Sequence, residues 1–179
     1  MDKILVHGGH KLSGIVKISG SKNSALPILA ATLLTKEQCV IHHVPDLSDI
    51  HYMLQILASL GAEVERASGT VTVRAENVKT IAPYEVVRKM RASVCILGPL
   101  LGREKEATVS LPGGCVIGDR PIDLHLRGFE ALGASHRIDS GNVKVFASKL
   151  NGATMNLRGK LPEPPVSGEA ETEEVTHAI

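Results

Sequence analysis

The chain has 179 residues, a formal net charge of +1 and 43% hydrophobic residues, of which only a few are aromatic (2% of the chain). So few rings give little surface for stacking single-stranded nucleic acid, and the balanced charge gives no broad basic face for a phosphate backbone, so no nucleic-acid partner is expected. The length and composition predict a globular protein, one domain or two small lobes, with a core of Leu, Ile, Val and Ala.

Three cysteines, Cys39, Cys95 and Cys115, lie far apart, and no two have the spacing of a zinc site. At least one thiol must be unpaired, which predicts a reducing compartment and a cytoplasmic protein. The first residues carry no long apolar signal core, and the longest apolar stretches, 25–34 and 92–101, are too short to cross a bilayer. We therefore expect no membrane partner.

The histidines suggest a metal, but the sequence gives that suggestion little support. His42, His43 and His51 lie close together, yet no second cluster with ligand spacing accompanies them. The expectation is that the protein holds no metal and no cofactor.

The chain begins with two short predicted strands, at residues 3–6 and 14–18. A glycine-serine turn at 19–24 follows and carries Lys22 and Asn23 just before a predicted helix at 25–34. Backbone N–H groups at a helix start, together with Lys22, can bind an anion. A solvated lysine near a helix cap is the alternative interpretation, and the G-x-x-x-x-G-K-[ST] pattern of a P-loop is absent.

The next elements have clear local signals. A strand is predicted at 39–43, then a helix capped by Ser48 and ended by Gly61, because apolar residues recur at helical spacing between them. Strands at 63–66 and 70–74 form a predicted hairpin around Ser68 and Gly69.

The second half of the chain repeats this order of elements. A helix is predicted at 84–101, with Arg88, Lys89 and Arg91 forming a basic cluster that is typical of a solvated face. The remaining predicted elements are a strand at 107–111, a helix at 124–132 and hairpin strands at 135–138 and 142–147 around Ser140 and Gly141.

A 72-residue repeat relates the two halves. Leu60-Gly61-Ala62 returns as Leu132-Gly133-Ala134 at that offset. Repetition of one supersecondary unit indicates neighbouring units that share a core. Residues 151–159 begin a possible third unit, but the prolines at 162–165 interrupt it. The segment 160–179 is rich in acidic residues and is expected to be poorly ordered.

The loop at 111–124 holds one thiol among glycines. Cys115 has little side-chain bulk around it, because Gly113 and Gly114 precede it and Gly118 follows. Arg120 could lower the pKa of the thiol or hold an anion, and a helix is expected to begin near Asp123. The alternative is that Cys115 is simply a small loop residue.

Three of these segments coincide with one family. Residues 19–27 (SGSKNSALP), 88–93 (RKMRAS), and 111–115 (LPGGC) with 118–124 (GDRPIDL) resemble the UDP-N-acetylglucosamine 1-carboxyvinyltransferases. These are the enolpyruvyl transferases that open bacterial peptidoglycan synthesis. The resemblance runs from about residue 1 to residue 159.

The resemblance implies a fold and a reaction. The fold is an α/β (α+β) lobe of the inverted α/β barrel type, built from repeated βαβαββ units, of which this chain holds an incomplete set. The reaction transfers the enolpyruvyl group of phosphoenolpyruvate to the 3-hydroxyl of UDP-N-acetylglucosamine and releases phosphate. It supports the cell wall, cell shape, cell cycle and cell division, and the antibiotic fosfomycin targets it.

The resemblance also implies roles for particular residues. Cys115 would be the catalytic thiol that adds to phosphoenolpyruvate or protonates it, and that fosfomycin alkylates. Lys22 and Arg120 would bind phosphoenolpyruvate, with Asn23 contacting substrate and Arg91 near the anionic site. The uridine end would be bound by Arg120, Pro121, Ile122, Asp123 and Leu124.

The sequence also departs from the family pattern. Such enzymes are roughly twice this length, and we expect a second lobe, with a catalytic aspartate, to be missing from this chain. Residues 1–21 would pack on that lobe, residues 22–159 would form the substrate-side lobe, and a complementary second lobe is a possible partner. The alternatives are a non-catalytic binding or interaction module and, more weakly, the shikimate-pathway relative, against which Cys115 and the Gly-Asp-Arg-Pro sequence argue.

Overall fold

A computed structural model describes residues 3–111 and 122–155. Their helices and strands fall into two units with a similar order of elements, the second of which has one additional helix. The first unit comprises α1 (Lys22–Ala31), a 3-10 helix (Thr32–Leu34), β1 (Cys39–Ile41), α2 (Ser48–Ser59), β2 (Glu63–Ala67) and β3 (Thr70–Arg74). The second comprises α3 (Tyr84–Val87), a 3-10 helix (Arg91–Ile96), α4 (Leu97–Glu104), β4 (Glu106–Ser110), α5 (Asp123–Ala131), β5 (Ser135–Asp139) and β6 (Asn142–Phe146).

Each unit has one three-stranded antiparallel sheet. The strand orders are β1-β3-β2 and β4-β6-β5, so the last strand of each unit is central. The central strands bury alternate valines, Val71 and Val73 in β3 and Val143 and Val145 in β6, and direct polar residues to the other face. The predicted repeat is therefore confirmed, and among the described strands neither sheet closes into a barrel.

The hairpin turns match from one unit to the other in their backbone angles. Ser68 and Gly69 have φ of 47° and 76°, and Ser140 and Gly141 have φ of 48° and 76°. Two consecutive residues with positive φ are the requirement of a type I′ turn, whose twist matches that of the flanking strands. Both predicted hairpins are confirmed.

A single apolar core joins the two units. Helix α1 packs against α2 and against the 3-10 helix Arg91–Ile96, while α4 packs against β4. Fully buried side chains on these helices, such as Leu29, Leu57 and Leu97, belong to one cluster that includes the valines of both sheets. Neither unit has a core of its own.

Arg103, near the end of α4, ties the second unit to the loops of the first. Its guanidinium donates to four backbone carbonyls, those of Leu33 (2.9 Å), Thr35 (3.2 Å), Ala75 (2.7 Å) and Glu76 (2.8 Å). The side chain is only 10% exposed. The planar array of guanidinium donors suits this task, because several carbonyls from separate loops converge on one group.

The two strands expected before residue 19 are not formed. Residues 3–21 contain no strand, and residues 3–19 are exposed throughout. A strand needs a partner strand for its hydrogen bonds, and residues 3–18 pair with neither of the two described sheets. The large apolar side chains left exposed are Ile4, Leu5, Val6, Leu12, Ile15, Val16 and Ile18.

The prediction of a single helix at 84–101 is also wrong. Helix α3 ends at Val87, Met90 is extended with φ −145° and ψ 127°, and α4 begins only at Leu97. Pro99 gives a physical reason for the start of α4 at Leu97 but not for the extended Met90, because a proline removes only the hydrogen bond to the carbonyl four residues earlier, here that of Cys95. At the third residue of α4 its missing N–H costs nothing.

Helix α2 shows one smaller correction and one confirmation. Ser48 is its first residue, and Leu47 occupies the cap position without a side-chain hydrogen bond. Gly61 ends the helix with φ of 103°, as predicted, and Gly133 does the same after α5 with φ of 90°.

We expect alanine at Gly61 to destabilise the protein more than alanine at Gly133. Both positions have positive φ, which costs an alanine about 1–2 kcal/mol. A Cβ at Gly61 would also lie 2.7 Å from the Asn77 carbonyl oxygen, whereas at Gly133 its nearest neighbour, Asn151 Nδ2, is 3.4 Å away. Urea unfolding of both variants measures the difference, and equal losses would contradict the steric argument.

Candidate active site

The glycine-serine turn leads directly into α1, whose first residue is Lys22. Ser21 caps the helix, and its Oγ accepts a hydrogen bond from the Ser24 N–H at 3.4 Å. Lys22 and Asn23 are both exposed. The helix therefore begins three residues earlier than the apolar pattern predicts, and both candidate residues lie in its first turn.

Gly20 allows the chain to reach this position. A Cβ at Gly20 would collide with the backbone carbonyl of His43, at the end of β1. His43 itself has φ of 58°. This close approach of two backbone segments places the start of α1 beside the end of the first sheet.

Asp49 is the residue that contacts Lys22. The Lys22 ammonium donates to Asp49 Oδ2 at 2.7 Å. Asp49 is the second residue of α2, so the starts of α1 and α2 meet at this ion pair. Local sequence patterns could not identify Asp49, because 27 residues separate the partners and only the packing of the two helices brings them together.

Arg91 occupies a comparable place in the second unit. It is half-buried, and it is the first residue of the 3-10 helix that packs against α1. Val73 and Val145 are equivalent residues of the 72-residue repeat. Cys39 pairs with Val73 and Ala107 pairs with Val145, so Cys39 corresponds to Ala107. When this alignment is extended toward the N-terminus without gaps, Arg91 corresponds to Asn23, the residue that follows Lys22.

Burial supports the alignment. The buried residues Ala25, Leu26, Leu29 and Leu33 of the first unit correspond in order to Ser93, Val94, Leu97 and Leu101 of the second. Both candidate cations therefore begin the same element of the repeat, on two segments that touch. The constant offset between these pairs of residues is present in the sequence and could have identified Arg91 as the counterpart of Asn23.

Ser93 is the one polar member of that buried set. It is completely buried, and within residues 3–111 and 122–155 its hydroxyl has no hydrogen-bond partner. Its counterpart in the first unit is Ala25. A buried hydroxyl without a partner retains the cost of losing water.

We expect Ser93→Ala to leave the free energy of unfolding unchanged or to raise it by up to about 1 kcal/mol. The matched control is Ser110→Ala, because the buried Ser110 hydroxyl donates to Asn142 Oδ1 at 2.7 Å. That variant should lose about 1 kcal/mol. A clear loss from Ser93→Ala in urea unfolding would show that its hydroxyl has a partner.

The loop that carries the candidate thiol is longer than its counterpart in the first unit. Residues 42–47 join β1 to α2, whereas residues 111–122 join β4 to α5. The Leu111 N–H donates to the Gly141 carbonyl at 2.8 Å, as Val44 does to Gly69 at the same distance in the first unit. Leu111 also lines a cavity of about 430 Å³, together with Tyr84 and residues of the 140–142 turn.

Cys115, Arg120 and Pro121 lie outside the described residues. Of the residues implied to bind the uridine end, Ile122 is buried, while Asp123 and Leu124 are exposed at the start of α5. Asp123 is the first residue of that helix, where a carboxylate is favoured by the helix dipole.

The other two thiols belong to the packed part of the chain. Cys39 and Cys95 are both half-buried. Burial raises the pKa of the Cys95 thiol, which lowers its thiolate fraction at neutral pH. Neither thiol lies in a glycine-rich loop.

Arg88 and Lys89 of the basic cluster, and His51 among the histidines, have partners within the fold. Arg88 pairs with Glu85 at 2.9 Å, and Lys89 lies over the ring of Tyr52. His51 and Arg66 both contact Asp46, and their hydrogen bonds and charge hold the pKa of that carboxyl below its usual value. Within residues 3–111 and 122–155 there is no group of three or more metal-ligating side chains, and no helix there is long and apolar enough to cross a membrane.

The sequence profile of the family described as EPSP synthase (3-phosphoshikimate 1-carboxyvinyltransferase) matches residues 6–164 of this chain. The chain belongs to the EPSP synthase family.

Two curated relatives of this chain carry the same name. The proteins from Methylacidiphilum infernorum and Akkermansia muciniphila, both named UDP-N-acetylglucosamine 1-carboxyvinyltransferase, are 60% and 56% identical over 160 residues. The match covers 89% of this chain and 38% of each relative. The chain thus spans well under half the length of these family members.

Two solved structures share the EPSP synthase family fold. The enolpyruvyl transferase NikO from Streptomyces tendae is 26% identical, with a TM-score of 0.68 over 80% of this chain and 32% of that one. EPSP synthase from Acinetobacter baumannii has a TM-score of 0.57 over 78% of this chain and 33% of its own, and at 14% identity it supports the fold alone.

Proposed function

We propose that this chain forms part of the site of a UDP-N-acetylglucosamine enolpyruvyl transferase, which uses phosphoenolpyruvate and UDP-N-acetylglucosamine as substrates. The observation that carries the proposal is the placement of Lys22 and Arg91 at the start of two helices in contact with each other. The names of the curated relatives support the choice of nucleotide sugar.

The chemistry requires anion binding and a proton donor. The sugar hydroxyl gives its proton to a base, which we expect on the second lobe, and its oxygen forms a C–O bond to the central carbon of phosphoenolpyruvate while the methylene carbon gains a proton and becomes a methyl group. Phosphate then leaves and the methylene carbon returns its proton, which restores the double bond. In the proposed site Lys22, Arg91 and Arg120 hold the phosphate and carboxylate groups, and Cys115 is the acid or the nucleophile that adds to phosphoenolpyruvate.

The remaining assignments belong to the same proposal. Asn23 contacts substrate beside Lys22, and residues 120–124 bind the uridine end. The reaction would place the protein in the cytoplasm, as an enzyme of cell-wall synthesis that fosfomycin inactivates through Cys115. Residues 1–21, with their exposed apolar side chains, would pack on a second lobe.

Limiting alkylation tests the proposed site on this chain directly. Under native conditions iodoacetamide should label Cys115 before Cys39 and Cys95, and phosphoenolpyruvate with UDP-N-acetylglucosamine should slow only the labelling of Cys115. Peptide mass spectrometry gives the three rates separately. Equal labelling of the three thiols, or no protection by the substrates, would contradict the proposal.

A further inference from the structure

Lys22 and Asp49 join the first turns of two packed helices. Their ion pair has a length of 2.7 Å, and the side chains are 43% and 30% exposed. Lys22 is the first residue of α1 and Asp49 is the second residue of α2. The pair is therefore a property of the packing between α1 and α2.

The two charges are not equally favoured by their own helices. The N–H groups of a helix start stabilise a carboxylate and oppose an ammonium group. The first turn of α2 holds the acidic residue Asp49, whereas the first turn of α1 holds no acid and begins with Lys22. Asp49 thus supplies the counter-charge for a lysine placed where its own helix disfavours it.

The pair leaves the ammonium group able to bind an anion. A lysine ammonium has three N–H donors, and the hydrogen bond to Asp49 uses one of them. The flexible four-carbon chain would otherwise have to be ordered when an anion binds, at a cost in affinity. An ion pair formed beforehand fixes the chain in advance, and solvent at this half-exposed surface weakens the repulsion between Asp49 and the anion.

We propose that Asp49 is a positioning residue that orients the Lys22 ammonium group for the phosphate or carboxylate of the substrate. This inference rests on the proposed function, in which Lys22 binds the anion. The chain offers a matched control, since Lys144 pairs with Glu106 at 3.0 Å with similar exposure, 39% and 46%, but does so across β4 and β6.

Titration of the labelled full chain with inorganic phosphate tests the role of Asp49. The amide signal of Ser24 reports binding, and the ¹⁵Nζ signal of Lys22 reports the order of the ammonium group. Asp49→Asn should weaken phosphate binding roughly 3- to 10-fold and broaden the Lys22 signal, because the side chain must then be ordered on binding. Asp49→Glu should recover most of both effects, and Glu106→Gln should change neither.

The outcomes separate this inference from the proposed function. If Lys22→Met leaves phosphate affinity unchanged, Lys22 is not the anion-binding group and the proposed function fails at that residue. If Lys22→Met abolishes binding while Asp49→Asn binds as well as or better than the parent, Asp49 competes with the anion and the inference is wrong. If Asp49→Asn loses its dispersed amide spectrum, Asp49→Ser, which keeps a polar group in the first turn of α2, takes its place with the same expected weakening.

Discussion

Replacing Arg103 by methionine is expected to lower the free energy of unfolding by about 3 kcal/mol. Methionine keeps much of the apolar stem but removes every donor, so the four carbonyls contacted by the guanidinium lose a partner in a region where the side chain is only 10% exposed. The midpoint and slope of urea unfolding, followed by circular dichroism, measure the loss.

Two further variants determine whether the donors of Arg103 are responsible. Arg103→Lys keeps the charge but has one compact nitrogen that cannot span four carbonyls, so it should recover only a part of the stability. Arg88→Met removes an arginine whose side chain is 51% exposed and paired with Glu85, and it should cost less than about 1 kcal/mol. Similar losses from Arg103→Met and Arg88→Met would refute the bridging role of Arg103.

Turnover is expected to be absent from this 179-residue chain tested alone, and to return when the rest of the enzyme is supplied. The chain matches 38% of the Methylacidiphilum relative, and enolpyruvyl transfer is expected to need two lobes that close around both substrates, exclude water and orient the reacting atoms. We therefore expect no phosphate release from the chain with both substrates, and measurable release after addition of the separately expressed remainder of that relative.

The thiol variants make this reconstitution specific. Cys115→Ala should lower the recovered rate by about 100-fold or more, as expected for loss of a group that transfers a proton or adds to substrate. Cys39→Ala is the matched control, because its counterpart in the second unit is Ala107, and the rate should be preserved. Phosphate release by the chain alone, or no phosphate release by the mixture of both parts, would show that the proposed division of the active site between the two parts is wrong.

The elements that the sequence predicts correctly are those with local physical causes. The hairpins follow from Ser68-Gly69 and Ser140-Gly141, where the turn itself requires positive φ at both residues. The end of α2 follows from Gly61 in the same way. These signals depend on neighbours in the chain and not on tertiary contacts.

The errors arise where a local pattern depends on a distant partner or is interrupted by one residue. Residues 3–6 and 14–18 have the composition of two short strands, but neither strand is formed, and neither stretch pairs with a described sheet. The apolar residues that predict one helix at 84–101 continue at helical spacing past Pro99. That spacing alone does not show that the segment is divided. The contact between Lys22 and Asp49 depends on how two helices pack, so only Lys22 could be proposed from the sequence.

The alignment of the two units has a consequence for the geometry of charge. Because Lys22 and Arg91 each begin a helix that is held by buried side chains, the distance between their backbone positions is set by the hydrophobic interior and not by surface loops. Close-packed interiors deform little. The separation of these two helix starts therefore depends on the apolar residues packed between α1 and the 3-10 helix Arg91–Ile96, and a substitution among those buried residues would be expected to change it without altering any charge.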